Sequence, residues 1–296
     1  MRTLLVPLDG GPLAETALPY AEAIARGARS EVVLFTAVDR QRSSGVHECW
    51  GLGQETAWAR SYLEGKRRRL ESLGLTVRVE MAYGPAAHCI LRAAQQLEDP
   101  LIVMAGRPPR EPGPWSRGGV SIRVVEAAGC PVLLVRDGGG TRPLGGVLLP
   151  LDGSALSLSV LSVARDLCVA VGARAVLLHV VALGGLAATA YASRGYLAEA
   201  LSLLQEEALA MLEEVAEDLR RSGVRVETRV AVGHAINQIL RTAQEAGTDV
   251  IALSSHGRSG QGRPTMGSVA QAVLQRSTIP CLLVKPAEAV GAGGSS

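Results

Sequence analysis

The chain repeats itself, and that repetition constrains its fold more than any other feature. LLVPLDGG at 4–11 returns as VLLPLDGS at 147–154, and GARSEVVLF at 27–35 returns as GARAVLL at 172–178. LTVRVEMAYG at 75–84 returns as VRVETRVAVG at 224–233, ILRAAQ at 90–95 as ILRTAQ at 239–244, and GCPVLLVR at 129–136 as TIPCLLVK at 278–285. From Gly84 and Gly233 onward the offset stays at 149 residues, through to Val135 and Val284. Self-similarity on this scale means two domains on one plan, each with its own core. They are expected at 1–138 and 144–286, joined through DGGGTRP at 137–143, a flexible linker by composition, and followed by a disordered tail at 287–296.

Within each half, short apolar stretches alternate with helical patterns. Strands are expected at 3–8, 32–38, 76–82, 101–105 and 131–135, with helices near 13–26, 55–73, 86–97 and 118–128. The second half repeats the strands at 146–151, 176–181, 224–231, 249–254 and 280–285. Aromatic residues make up only 3% of the chain, so the cores must be built from Leu, Val, Ile and Ala, as in parallel strands covered by Ala-rich helices. The expected class is α/β: two doubly wound domains, each with a five-stranded parallel sheet. Ligands of such sheets bind beyond the carboxyl ends of the strands, where the strand order reverses. Asp9 and Asp152 both stand at the end of a first strand.

Several function classes fall away. A net charge of +2 is too small to argue for nucleic acid as partner, and the one dense basic run, KRRR at 66–69, reads as a solvated helix face. Cys49, Cys89, Cys130, Cys168 and Cys281 show neither CxxC pairing nor metal-ligand spacing, which fits reduced thiols in the cytoplasm. HEC at 47–49, with His88 and Cys89, lacks a recognisable metal spacing. MRTLLVPLDGG reads as a first strand rather than a secretory leader, and AVLLHVVALGGLAATAY at 175–191 as a buried strand and loop rather than a membrane span. The five histidines carry no nucleophile signature, and His179, inside an apolar strand, reads as a satisfied core histidine.

One connection demands a use. SSHGRSGQGRPTMGS at 254–268 is too polar and kinked to be core, and it runs from an apolar strand directly into a helical pattern. Glycines let backbone N–H groups approach an anion closely. Gly267-Ser268 then opens a helix, where unpaired N–H groups favour phosphate. Ser268 offers a hydroxyl, while Arg258 and Arg263 offer charge. A plainer alternative is that Ser268 only caps its own helix.

Ser254, Gly257, Gly267 and Ser268, in S-x2-G-x9-G-S, resemble the G-x2-G-x9-G-[ST] motif of the universal stress protein family. PLD at 150–152, LLHV at 177–180 and IPCLLV at 279–284 sit where that family places its first, second and fifth strands, and the resemblance extends over both halves. It implies a nucleotide-binding, HUP-like fold with strand order 3-2-1-4-5 and, where the glycine motif is kept, bound ATP, with Mg2+ as companion ion. Carried over, Asp152 and Val180 flank the adenosine part, with Pro150 from the same PLD segment. Gly257, Gly267, Ser268 and Val269 hold the phosphates, and His256 and Arg258 stand within reach of them. Ser254 replaces the motif's first glycine, which narrows approach to the ribose. The family pattern also implies pairing through the last strand, PVLLV at 131–135 and PCLLV at 280–284, so an intramolecular pseudo-dimer is expected and homodimerisation of the chain is left open.

The first half has lost this loop. At the 149-residue offset, Ser254, His256, Gly257, Gly267 and Ser268 become Ala105, Arg107, Pro108, Gly118 and Gly119. Four prolines between 108 and 114 remove N–H donors, and Trp115 adds bulk. The expectation is therefore an ATP-binding regulatory stress protein, not an enzyme, with one nucleotide site, in the second half. The alternatives are a structural interaction module without nucleotide, or a slow ATPase or adenylyl-transfer enzyme, for which no HIGH-type or SGGxDS-type motif is present.

Overall fold

A computed structural model describes residues 1–38, 52–106, 119–136, 144–182, 194–255 and 266–286. The linker and tail expected at 137–143 and 287–296 lie outside these residues. The chain divides into two compact units, Met1–Thr141 and Arg142–Ser296.

The N-terminal unit runs β1 (Thr3–Pro7), α1 (Pro12–Glu15), α2 (Leu18–Ala28), β2 (Glu31–Val38), α3 (Leu52–Glu71), β3 (Val77–Tyr83), α4 (Ala86–Gln95), β4 (Pro100–Gly106), α5 (Val120–Ala127) and β5 (Val132–Arg136). The C-terminal unit runs β6 (Gly146–Pro150), α6 (Ala155–Leu158), α7 (Leu161–Val171), β7 (Arg174–Val181), α8 (Arg194–Arg221), β8 (Val226–Val232), α9 (Ala235–Glu245), β9 (Val250–Ser254), α10 (Ser268–Arg276) and β10 (Cys281–Val284). Strands pair in the order β3-β2-β1-β4-β5 in one unit and β8-β7-β6-β9-β10 in the other, and all these pairings are parallel. This is the expected 3-2-1-4-5 doubly wound order. The chain leaves β1 toward β2 on one side and returns to β4 on the other, so the ends of β1 and β4, and of β6 and β9, frame a crevice.

Central strands are buried on both faces, which their unbroken apolar runs require. Leu4, Leu5, Val6, Leu101, Ile102 and Val103 have no exposed surface, and nor do Val147, Leu148 and Leu149. The outer strands are half-buried and carry ion pairs instead: Arg78 with Glu31 and Glu80 on β3, Arg229 with Glu227 on β8. No described helix is long and apolar enough to cross a membrane.

Two local expectations need correction. The helix expected over 13–26 is two helices, broken at Thr16 and Ala17. Thr16 Oγ1 donates to the Leu13 carbonyl at 2.7 Å, and Ser159 Oγ donates to the Leu156 carbonyl at 2.7 Å at the matching break between α6 and α7. A hydroxyl bonding back three residues competes with the helix ladder and ends the first turn in both units. The comparison of GARSEVVLF with GARAVLL aligns Gly27 with Gly172, whereas the left-handed residue that ends α2 is Arg29, at φ 54°, opposite Gly172 at φ 67° in the same role. Helix geometry, not residue identity, sets the true register.

Candidate functional site

The first turn of the C-terminal unit is a hydrogen-bonded relay. Asp152 Oδ1 accepts from Ser154 N at 2.9 Å and from Ser154 Oγ at 2.6 Å, and Ser154 Oγ accepts in turn from Ser157 N at 3.1 Å. Ser154 thus caps α6 while it fixes the direction of the carboxylate. The neighbouring strand is tied to the same turn. His179 Nδ1 lies 2.8 Å from the Leu151 carbonyl, and since a carbonyl only accepts, Nδ1 carries the proton. Thr36 Oγ1 makes the same bond to the Leu8 carbonyl at 2.7 Å in the N-terminal unit. His179 is therefore satisfied as expected, although it also faces a cavity.

That cavity, of about 730 Å³, opens at the ends of β6, β7 and β9 and at the start of α10. Its size suits a nucleotide-sized ligand. Pro150, Asp152, Val180, Ser254, Gly267, Ser268 and Val269 all line it, so the structure brings together every expected site residue that it describes. His256, Gly257 and Arg258 lie outside the described residues, as do Arg263 and the proline loop of the first half. Ser254 Oγ lies 3.4 Å from Ser159 Oγ, whose proton is given to the Leu156 carbonyl.

The start of α10 decides between two roles for Ser268. The N-cap is Gly267, at φ −62° and ψ 147°, which has no side chain to cap with, and Ser268 is the first helical residue. The capping role is thereby excluded. Gly267 N itself donates to the Ser255 carbonyl at 2.8 Å, so it anchors the loop and is not available to a phosphate. The helix ladder begins with Gln271 N to the Gly267 carbonyl at 2.9 Å, which leaves the N–H groups of Ser268, Val269 and Ala270 without partners inside the helix. These donors and the helix dipole face an opening that can take an anion.

Sequence reasoning missed the outer wall. Leu204, Glu207, Ala208 and Met211 from α8 close one side, and Ala235 and Ile239 from α9 line another part. Their four-residue spacing on α8 reads simply as helix periodicity; only packing places that stripe over the ends of β6 and β7. The described walls carry acidic charge from Asp152 and Glu207, while Arg258 and Arg263 belong, by sequence, to the glycine loop outside the described residues. Carboxylates only accept hydrogen bonds, which suits sugar hydroxyls or an exocyclic amine; phosphate belongs at the helix end. Among the described residues, no group of three or more His, Cys, Asp or Glu side chains could hold a metal ion.

The family profile described as the universal stress protein family matches residues 1–136 and again 145–285. The chain belongs to the universal stress protein family. It carries two such domains in tandem. Universal stress protein YxiE of Bacillus subtilis is 33% identical over 144 residues, 47% of this chain and 97% of its own length. Universal stress protein Rv2005c of Mycobacterium tuberculosis is 26% identical over 255 residues, 80% of each chain. The crystal structure of a universal stress protein from Archaeoglobus fulgidus superposes with a TM-score of 0.70 at 18% identity, covering 96% of this chain and 98% of that one, which supports the fold alone.

Proposed function

We propose that the C-terminal unit binds an adenine nucleotide, ATP accompanied by Mg2+, and that the chain is a nucleotide-dependent regulatory stress protein in the cytoplasm. One observation carries this reading: the uncapped start of α10, with the Ser268 hydroxyl beside it, opens into the same cavity as the oriented carboxylate of Asp152. The carboxylate suits the hydroxyls or amine of a nucleoside, and the free N–H groups suit its phosphates. The described walls supply only acidic charge, so the positive charge for a triphosphate comes from Arg258 and Arg263 and from Mg2+, which binds through phosphate oxygens rather than a protein cage.

The test is a melting experiment with Mg-ATP. Ligand at a hundred times its dissociation constant stabilises the folded state by about 2.7 kcal/mol, a rise of roughly 5–10 °C for a domain of this size. Asp152→Ala should lose most of that rise. An equal melting temperature with and without millimolar Mg-ATP would remove the reading.

A further inference from the structure

The N-terminal unit builds the same corner from different side chains. α3 and α8 correspond at the 149-residue offset: Gly74 at φ 83° and Gly223 at φ 82° end them with matching turns, and buried Leu63 and Leu70 stand where Leu212 and Leu219 do. At that offset Glu207 and Met211, two walls of the C-terminal cavity, become Trp58 and Tyr62. The Trp58 ring lies over Gly10, counterpart of the wall residue Gly153; a methyl on Gly10 would fall 2.3 Å from Cη2 of Trp58. Trp58 is 38% exposed, so the ring covers this turn rather than filling the core.

Trp58 and Tyr62 stack, with centroids 5.4 Å apart and planes 7° from parallel. The stack is held from below. Tyr62 donates its hydroxyl to Glu15 Oε1 at 2.9 Å, and Lys66 Nζ lies 2.6 Å from Glu15 Oε2 and 5.3 Å from the Tyr62 ring centre. In the C-terminal unit the positions of Glu15 and Lys66 hold Leu158 and Val215. All four members of the cluster differ together between two copies of one fold, and they surround one position.

We propose that Trp58 and Tyr62 stand in the N-terminal unit where a nucleoside lies in the C-terminal one, so that the end of β1 is a ligand site filled by the protein's own rings. Replacing them opens a site for an adenine nucleoside, recognised by stacking space and the Asp9 carboxylate. At the position of Ser268 stands Gly119, which supplies no hydroxyl to a phosphate. The inference rests on the nucleotide reading of the C-terminal cavity.

Isothermal titration of the full chain with adenosine tests it. The unmodified chain should take up one equivalent. Trp58→Glu with Tyr62→Met, the residues of the C-terminal unit, should take up two, and adding Asp9→Ala should return the count to one. One equivalent in a double variant that melts as the parent does would overturn the proposal. Should the double variant fold poorly, Trp58→Ala, which keeps the Tyr62–Glu15–Lys66 contacts, is titrated in the same way, and one equivalent there overturns it equally. None in the parent but one in the variant, lost again on Asp9→Ala, would sink the C-terminal reading and leave standing only that the two rings fill a nucleoside site in the N-terminal unit; none in either would sink both.

Discussion

Ser268 and Ser154 sit alike at the starts of helices, yet their chemistry separates them. Ser154 caps α6 and orients Asp152, so Ser154→Ala should lower stability by about 1 kcal/mol, read from the chemical denaturation midpoint. Ser268 caps nothing, so Ser268→Ala should leave the melting temperature of the ligand-free chain within a degree or two of the parent. Its loss should appear in Mg-ATP affinity instead, by about 1.5–3 kcal/mol, roughly 10- to 150-fold by calorimetric titration. A stability loss without an affinity loss would return Ser268 to a purely structural role. Glu15 yields a pH prediction. Burial works against its carboxylate, but hydrogen bonds from Lys66 and Tyr62, aided by the charges of Lys66 and Arg69, outweigh it and hold the pKa below its usual value. A carboxyl whose folded pKa is depressed contributes stability above its unfolded pKa, about 4.3, and loses it as pH falls through the folded value. Glu15→Gln should therefore cost stability at pH 7 and approach the parent's stability in denaturation series once pH has fallen below the depressed folded pKa. Burial followed by the bond to Glu15 pushes the Tyr62 hydroxyl up, so Tyr62 stays a neutral donor across that range.

At the scale of elements, the two units solve the same joints with different residues. α2 and α7 both end in the left-handed region, but α2 does so with Arg29 and α7 with Gly172. A side chain in that region costs about 1 kcal/mol. Arg29→Gly should thus stabilise by roughly 0.5–1 kcal/mol, and Gly172→Ala should destabilise by about the same amount, both by urea titration; opposite signs at matching sites are the expected signature. The junction of the fourth strand with the following helix shows another exchange. Ser121 packs so closely on β4 that a methyl at Gly106 would fall 2.7 Å from its Oγ, while the matching pair in the C-terminal unit is Ser255 with Ala270. The larger residue has moved from helix to strand, so Gly106→Ser alone should lose at least 1–3 kcal/mol to overpacking.

At the scale of the whole chain, the two copies of one fold carry different residues around the end of the first strand. One Mg-ATP per full-length chain is expected by titration. Asp9→Ala should leave that count and affinity unchanged, and Asp152→Ala should abolish binding. A second equivalent of comparable affinity in the unmodified chain, lost on Asp9→Ala, would show that both corners are open.

Much of this was legible before any coordinates. The doubled order of strands and helices, the parallel sheets and the Asp152–Ser268 corner follow from local signals: apolar runs, turn glycines and a constant offset, each expressed within a few residues. The break at Thr16 was not, because a hydroxyl bonding its own helix leaves the apolar period intact. Nor was the wall of α8 or the Trp58–Tyr62 stack over Gly10, since residues about fifty apart meet there only when a helix crosses back over the sheet. Periodicity tells which face of a helix is apolar. What that face covers, a core, a cavity or a place already filled, is set by long-range packing, and only the tertiary structure decided it.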